Sequence, residues 1–322
     1  MDTKVTSHSV DSRTISQERL QAHPTERPQV SVVIASVNGP SYLDACLASL
    51  SSQRGNVRGE VIVVDCYGGE IQDLVTHKYP WVKLLSFSER LTIPRLRAIG
   101  IAHSTGQFVA ITEDHCIPAD DWYERIVACL EGSYVAVGGA VENASTEHLV
   151  DWAVFLCEYY RQVNPIPKGE VDDVAGMNVA YKREALDGLQ DLLAAGRWEN
   201  FFHARLRANG FRLYSDPAML IYHRKSFSVT GFLAQRFHYG RAFAGMRVDG
   251  ATVSRRAIFG MGTVLLPPVL IGRIASQVVS RRRHRLVFLR CLPLLSLFVV
   301  SWAAGECVGY LAGPGDSLAR VE

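Results

Sequence analysis

An apolar run at residues 107–112 (QFVAIT) ends abruptly in Glu113-Asp114-His115. Two carboxylates and an imidazole at one strand end can hold a divalent cation, which would bridge two phosphates and neutralise a diphosphate leaving group. In an extended segment Glu113 and His115 fall on the same side, with Asp114 between them. An imidazole in the set favours Mn2+ over Mg2+. The plain alternative is that Asp114 caps the turn before Pro118 and His115 is incidental. Two other apolar runs stop in the same way. VSVVIA (30–35) leads into Ser36 and Asn38, and EVIVVD (60–65) closes on Asp65. Arg95 and Arg97 carry forked donors suited to a diphosphate, or else form a solvated helix face.

These groups need elements to position them. Each run is β-branched and continuous, the pattern of a strand buried on both faces. Helical spacing follows the first run at Tyr42, Cys46, Leu47 and Leu50, and again at 94–104 (PRLRAIGIAHS) with Pro94 in the first turn. The alternation predicts an α/β fold, a mostly parallel sheet flanked by helices. Ligands of such sheets gather at the carboxyl ends of the strands, so Ser36 with Asn38, Asp65 and the 113–115 triplet should face one crevice. Further strands are expected at 133–141, 174–181 and 220–223, and a helix at 198–209 closed by Gly210. Aromatic residues at helical spacing (Trp152, Phe155, Tyr159, Tyr160) read as core.

The 322 residues suffice for one large domain or two unequal ones. Charged residues are 20% of the chain and hydrophobic ones 48%, which excludes overall disorder, and a net charge of +2 argues against a nucleic-acid-coating protein. The charge is unevenly placed. From residue 251 onward there are nine Arg, no Lys and three acids, whereas the first 250 residues carry 25 basic and 29 acidic side chains. An acidic body with a basic, apolar tail points to a membrane partner. The uncharged stretches 257–272 and 291–305 are each short of a full bilayer span, so interfacial and spanning arrangements both stand. Seven scattered cysteines with no C-x-x-C pair suit a reducing compartment. Residues 1–29 are polar and are expected to be a disordered leader without a secretory signal. The expected division is then a 30–225 domain, a 226–256 amphipathic linker, 257–313 membrane-associated or transmembrane helices and a 314–322 tail.

The order VSVVIASVNGPSYLDACLASLSSQ, EVIVVD and PRLRAIGIAHSTGQFVAITEDHCIPADDW resembles the nucleotide-binding half of family-2 glycosyltransferases, which have the Rossmann-like GT-A fold. VAGMNVAYKREAL and RWENFFHARLRANG resemble their acceptor half, so the likeness runs from about 30 to 225. It implies that Ser36 and Asn38 line the first nucleotide loop and that Asp65 hydrogen-bonds the base edge. It places the family's Asp-x-Asp metal motif on Glu113-Asp114-His115, a departure at both outer positions. His223 matches a position where some relatives add a metal ligand. Gly176 and Asn178 fall where the backbone approaches the donor sugar and acceptor, and Gly176 has no Cβ to obstruct that approach. Arg205-Leu206 and Gly210 set the register that puts Glu199 at the catalytic base, with Trp198 beside it on the acceptor side.

The resemblance thus implies an inverting glycosyltransferase. It would move a sugar from a nucleoside-diphosphate sugar to a hydroxyl of a lipid-linked or polysaccharide acceptor at the cytoplasmic face of the cell membrane, with Mn2+ or Mg2+. The altered metal triplet keeps two other readings open: a nucleotide-sugar-binding protein without turnover, and a membrane scaffold with a degenerate GT-A body.

Overall fold

A computed structural model describes residues 27–55 and 57–321. The expected leader lies almost wholly outside them. Strand β1 (Val30–Ser36) has all seven residues buried and pairs in parallel with β2 (Gly59–Asp65) on one side and β4 (Phe108–Glu113) on the other. Strand β3 (Lys83–Ser86) adds to β2. Helices α1 (Pro40–Ser52), α2 (Gly69–Lys78) and α3 (Ile93–Ala102) make the crossovers. The register sets Ser36 opposite Asp65 and Ala35 opposite Glu113, so the three polar strand ends stop at one level.

Beyond β4 the sheet changes character. Its order is β3-β2-β1-β4-β8-β6-β9-β5, with β7 (Gly169–Val171) also on β9. Strand β8 (Val179–Lys182) runs antiparallel to β4 and to β6 (Ala136–Asn143). Strand β9 (Leu213–His223) is parallel to β6 and antiparallel to β5 (Cys116–Pro118). The sheet is therefore mixed, its parallel strands concentrated in the N-terminal half. The 174–181 segment yields strand only from Val179; the residues before it form a loop over the cleft. β9 begins seven residues before the expected 220, because its polar first half pairs with β6 and β7 and so lacks a period-2 pattern.

Helix α4 (Trp122–Leu130) packs with α1 and α2 on one face. On the other lie α3, the short α6 (Arg183–Asp187) and α7 (Gln190–Ala194), and α8 (Glu199–Ala208). The 226–256 segment, expected as an amphipathic linker, is mostly helix α9 (Val229–Arg247), capped by the Ser228 hydroxyl accepting from Gly231 N–H.

The C-terminal helices are longer than their uncharged cores implied. Helix α10 (Val253–Gly262) passes through a 3₁₀ turn (Thr263–Leu265) into α11 (Leu266–Arg281), where the two prolines occupy the tolerated first turn. That run is 29 residues, and α12 (Arg285–Ala312) has 28. Each is long and apolar enough to cross a bilayer. One side of α12 is nonetheless buried against α9, α11 and α5 (Leu149–Tyr159) in a shared apolar cluster. Backbones meet there: a Cβ on Gly240 would come within 2.6 Å of Trp302 O, and Gly305 and Gly309 lie against the carbonyls of Phe237 and Arg241.

Candidate functional site

At the carboxyl ends of β1, β2 and β4 the polar groups connect into one network. Asp114 is fully buried; its Oδ2 accepts from Val37 N–H and Asn38 N–H, both at 2.8 Å. Its Oδ1 accepts from Asn38 Nδ2 at 2.6 Å and faces His115 Nδ1 at 3.0 Å. Asp114 thus clamps the β1–α1 loop with three hydrogen bonds, and it does not line the cleft. Asp114, expected as a metal or donor contact, is here engaged by that loop and by His115. Asp65 similarly accepts from Tyr67 and Gly68 N–H groups, and burial pushes its carboxyl up against those bonds. Ser36, across from it, is buried, and its hydroxyl works against that rise.

Glu113 and His115 do face the cleft, a cavity of ≈ 390 Å³. His115 Nε2 lies 3.1 Å from Glu113 Oε2. Burial alone would lower the His115 pKa, but Asp114 and Glu113 on its two nitrogens raise it. Burial alone would raise Glu113, but His115 and Arg97 hold it well below the carboxylate range. His223, at the end of β9, sets its ring edge-on to His115 with centroids 4.8 Å apart. Burial, then the neighbouring His115 charge, pushes it well below its ordinary value, leaving it neutral with a lone pair to offer. Among the described residues, ligand atoms of Glu113, His115 and Cys116 lie within 4.8 Å of one another, although Cys116 belongs to the apolar core.

Arg97 is the bridge to the far wall. Its guanidinium donates to Glu113 Oε1 and to Glu199 Oε2, each at 2.6 Å, and is only 4% exposed. The fork expected for a diphosphate is therefore already spent on two carboxylates; only Nε lacks a partner. Arg95, one residue-pair earlier on α3, is exposed and does not line the cleft. Glu199 opens α8, where an acid also suits the helix dipole. Its Oε1 has no hydrogen bond among those found for described residues, while a Cβ on Gly176 would meet Oε2 at 2.6 Å. Gly176 is thus required by the carboxylate rather than by a sugar. Trp198, the residue before α8, lines the cleft with its ring 5.0 Å from Tyr239.

Asn178 is the clearest displacement. It is fully buried, accepts from Trp122 Nε1 at 2.8 Å and donates to the carbonyls of Ala140 and Met219 at 2.9 Å. A side chain so engaged pins α4 to the sheet, and Asn178 does not line the cleft. The sequence reading missed the opposite wall, built by Arg236, Tyr239 and Phe243 of α9 and Trp302 of α12. Their 3- and 4-residue spacing on α9 was the available signal. His238 and Arg241, on the other face, hold the C-terminal segment through Ser317 and the Gly313 carbonyl.

Comparison with known proteins fits this geometry. Residues 31–189 match the model of glycosyl transferase family 2. The curated glycosyltransferase AglE of Haloferax volcanii is 33% identical over 121 residues, 36% of this chain, and the chain spans only 40% of that relative's length. The mannosyltransferase PcManGT of Pyrobaculum calidifontis, solved with GDP-Man and Mn2+, is similar in fold, with a TM-score of 0.55, 18% identity and 88% of each chain covered. With the family match and the shared GT-A architecture in agreement, residues 31–189 form a family-2 glycosyltransferase domain.

Proposed function

We propose that the protein transfers a sugar from a nucleoside-diphosphate sugar to the hydroxyl of a lipid-linked or polysaccharide acceptor, with inversion, at the cytoplasmic face of a membrane. The observation that carries this reading is the Glu113–Arg97–Glu199 bridge. It sets one carboxylate beside the strand-end histidines and the other across the cleft, with 2.6 Å contacts to a common guanidinium.

Glu199 is the base. Arg97 fixes its Oε2, which leaves Oε1 free to take the acceptor hydroxyl's proton as that oxygen attacks the anomeric carbon. A single base on one face means direct displacement and no sugar–enzyme bond. Asp114 and Asn38 hold the β1–α1 loop, which with Ser36 and Asp65 forms the nucleotide side. Glu113, His115 and His223 form a mixed oxygen and nitrogen set suited to one divalent cation, Mn2+ in preference to Mg2+. Bound there, such a cation would neutralise the departing diphosphate. Trp198 offers the acceptor sugar an apolar face.

The test is Glu199→Gln. It should keep nucleoside-diphosphate affinity and lower transfer at least about 100-fold. Near-normal transfer would remove Glu199 from the role. The anomeric configuration of the product, read by NMR, tests inversion: retention would reject direct displacement.

A further inference from the structure

The α10–α11 run and α12 have the length to cross a bilayer, yet the catalytic body holds α12 at both ends. The α11–α12 turn docks on β6 and on the loop after α5. There the Arg283 fork meets Glu142 of β6, Nη1 at 2.6 Å from Oε1 and Nη2 at 3.1 Å from Oε2, and Nη1 also donates to the Asn164 carbonyl. Arg281 donates to the carbonyls of Tyr160 and Arg161, and Arg161 lines the cleft. At the other end, the Gly313 carbonyl just past α12 accepts from Arg241 of α9, while Arg256 of α10 donates to the Tyr310 carbonyl. The 28 residues of α12 measure about 42 Å, against a hydrocarbon core of about 30 Å. A spanning α12 would put its ends on opposite faces, where one body could not hold both. Its interior agrees. Trp302 lines the cleft, donates to Glu306 Oε1 at 2.6 Å and carries the Arg236 guanidinium 4.0 Å from its ring centroid. A carboxylate and a guanidinium at hydrocarbon depth would be costly.

What α12 turns outward is apolar from its first turn to its last. At about 100° per residue, Leu286, Leu289, Leu297, Val300 and Leu311 fall in a stripe about 80° wide, and each is at least 52% exposed. Cys291, Leu295 and Phe298, on the opposite side, are fully buried. Among the described residues, only Tyr67, Leu149, Phe211 and Tyr222 are exposed large apolar side chains outside residues 253–312. The charge on this surface has one sign. Residues 253–312 contain eight arginines and a single acid, Glu306, which is buried. Arg255, Arg273, Arg282, Arg285 and Arg290 are exposed among the apolar side chains. Their aliphatic stems can cover apolar surface while the guanidinium reaches lipid phosphate. An apolar surface set with cations and free of exposed acids complements an anionic bilayer that it lies on.

We infer that α10–α12 are a monotopic anchor, which lies in the plane of an anionic bilayer with its outer apolar side in the headgroup boundary and crosses the membrane nowhere. The catalytic body, the α11–α12 turn and both ends of α12 then share one face. The inference does not depend on the transfer reaction, only on how the tail packs on the body. The test uses the full chain with its partly exposed Cys66, Cys129 and Cys307 replaced by Ser. Leu289→Cys, Val300→Cys or Leu311→Cys then carries a single NBD label, and each protein is reconstituted into phosphatidylglycerol vesicles by detergent removal, so that a span could form. Lipids brominated at known chain depths quench the label. All three positions should report one shallow depth, within about 10 Å of the headgroup boundary. A label near the midplane at 300, with shallow labels at 289 and 311, overturns the inference in favour of a span. Absence of quenching at all three overturns it in favour of a tail that meets no lipid. Wild-type protein gives a second measure that no variant's folding can spoil. Its co-sedimentation should fall at least tenfold when phosphatidylcholine replaces phosphatidylglycerol, and equal binding to the two overturns the anionic surface as partner.

Discussion

Arg97 occupies the position on which the rest of the cleft turns. A guanidinium with five fixed donors can hold two carboxylates in defined directions; an ammonium at the same place cannot. Arg97→Lys should therefore keep a positive charge yet lose the alignment of Glu199, lowering kcat by about 100-fold with a smaller effect on nucleotide affinity, as steady-state kinetics and nucleotide titration would report. Gly176 makes the same point from the other side. Its missing Cβ is the space that Glu199 Oε2 occupies. Gly176→Ala should displace that carboxylate and reduce kcat by about 10- to 100-fold, with the melting temperature little altered. Glu113 and His115 stood out because three polar clusters end strands at one level of the sheet, and Glu199 because of its place in the motif the resemblance supplied. Asn178 and Asp114 misled for a physical reason. A polar residue in a motif looks the same in sequence whether its bonds go to a ligand or to buried backbone.

Among the elements, the β1–α1 and β4 loops owe their placement to short local bonds that a sequence does not display. The same holds at the opposite end of the sheet. Glu60 Oε1 accepts from Ser31 Oγ, Thr105 N–H, Thr105 Oγ1 and Gly106 N–H, tying β1 and β2 to the turn before β4. Burial opposes ionisation, yet those bonds win and lower the carboxyl below its ordinary 4.5. A depressed folded value means the stabilisation is complete above pH 4.5 and is lost as the pH falls through the lower folded value. Glu60→Gln should thus cost about 1 kcal/mol at neutral pH, and the gap from wild type should close in acid, as denaturant melts at several pH values would show. On α12, Gly305 touches the Phe237 carbonyl. Gly305→Val should separate α9 from α12 and destabilise by at least about 1–3 kcal/mol, seen as a lower thermal midpoint.

On the scale of the whole molecule, the catalytic body and the apolar tail are one packed unit. Helix α12 contributes Trp302 to the cleft and a face to the cluster around Phe232, Phe298 and Leu295. Removing residues 251–322 would expose that cluster, so milder surgery is the better probe of membrane attachment. Met261, Val264 and Leu265 are 70%, 78% and 67% exposed around the bend between α10 and α11. Replacing all three with Glu should lower co-sedimentation with anionic vesicles at least tenfold while nucleotide binding persists; unchanged sedimentation would place the contact elsewhere. In that proposed attachment the nine arginines from residue 251 onward would supply charge for the anionic surface.

The parallel half of the sheet and the level of its polar strand ends were legible in the residues themselves, whereas the register of Glu199 came from the family resemblance. Hydrophobic period and end-of-run chemistry are local properties, and local properties survive in one dimension. The partners of Arg97, the conversion of a supposed linker into the wall of the cleft and the burial of one side of α12 were not. Each depends on which surfaces meet between segments that can lie more than 100 residues apart, and a pairwise contact leaves no mark on either segment until the chain has folded.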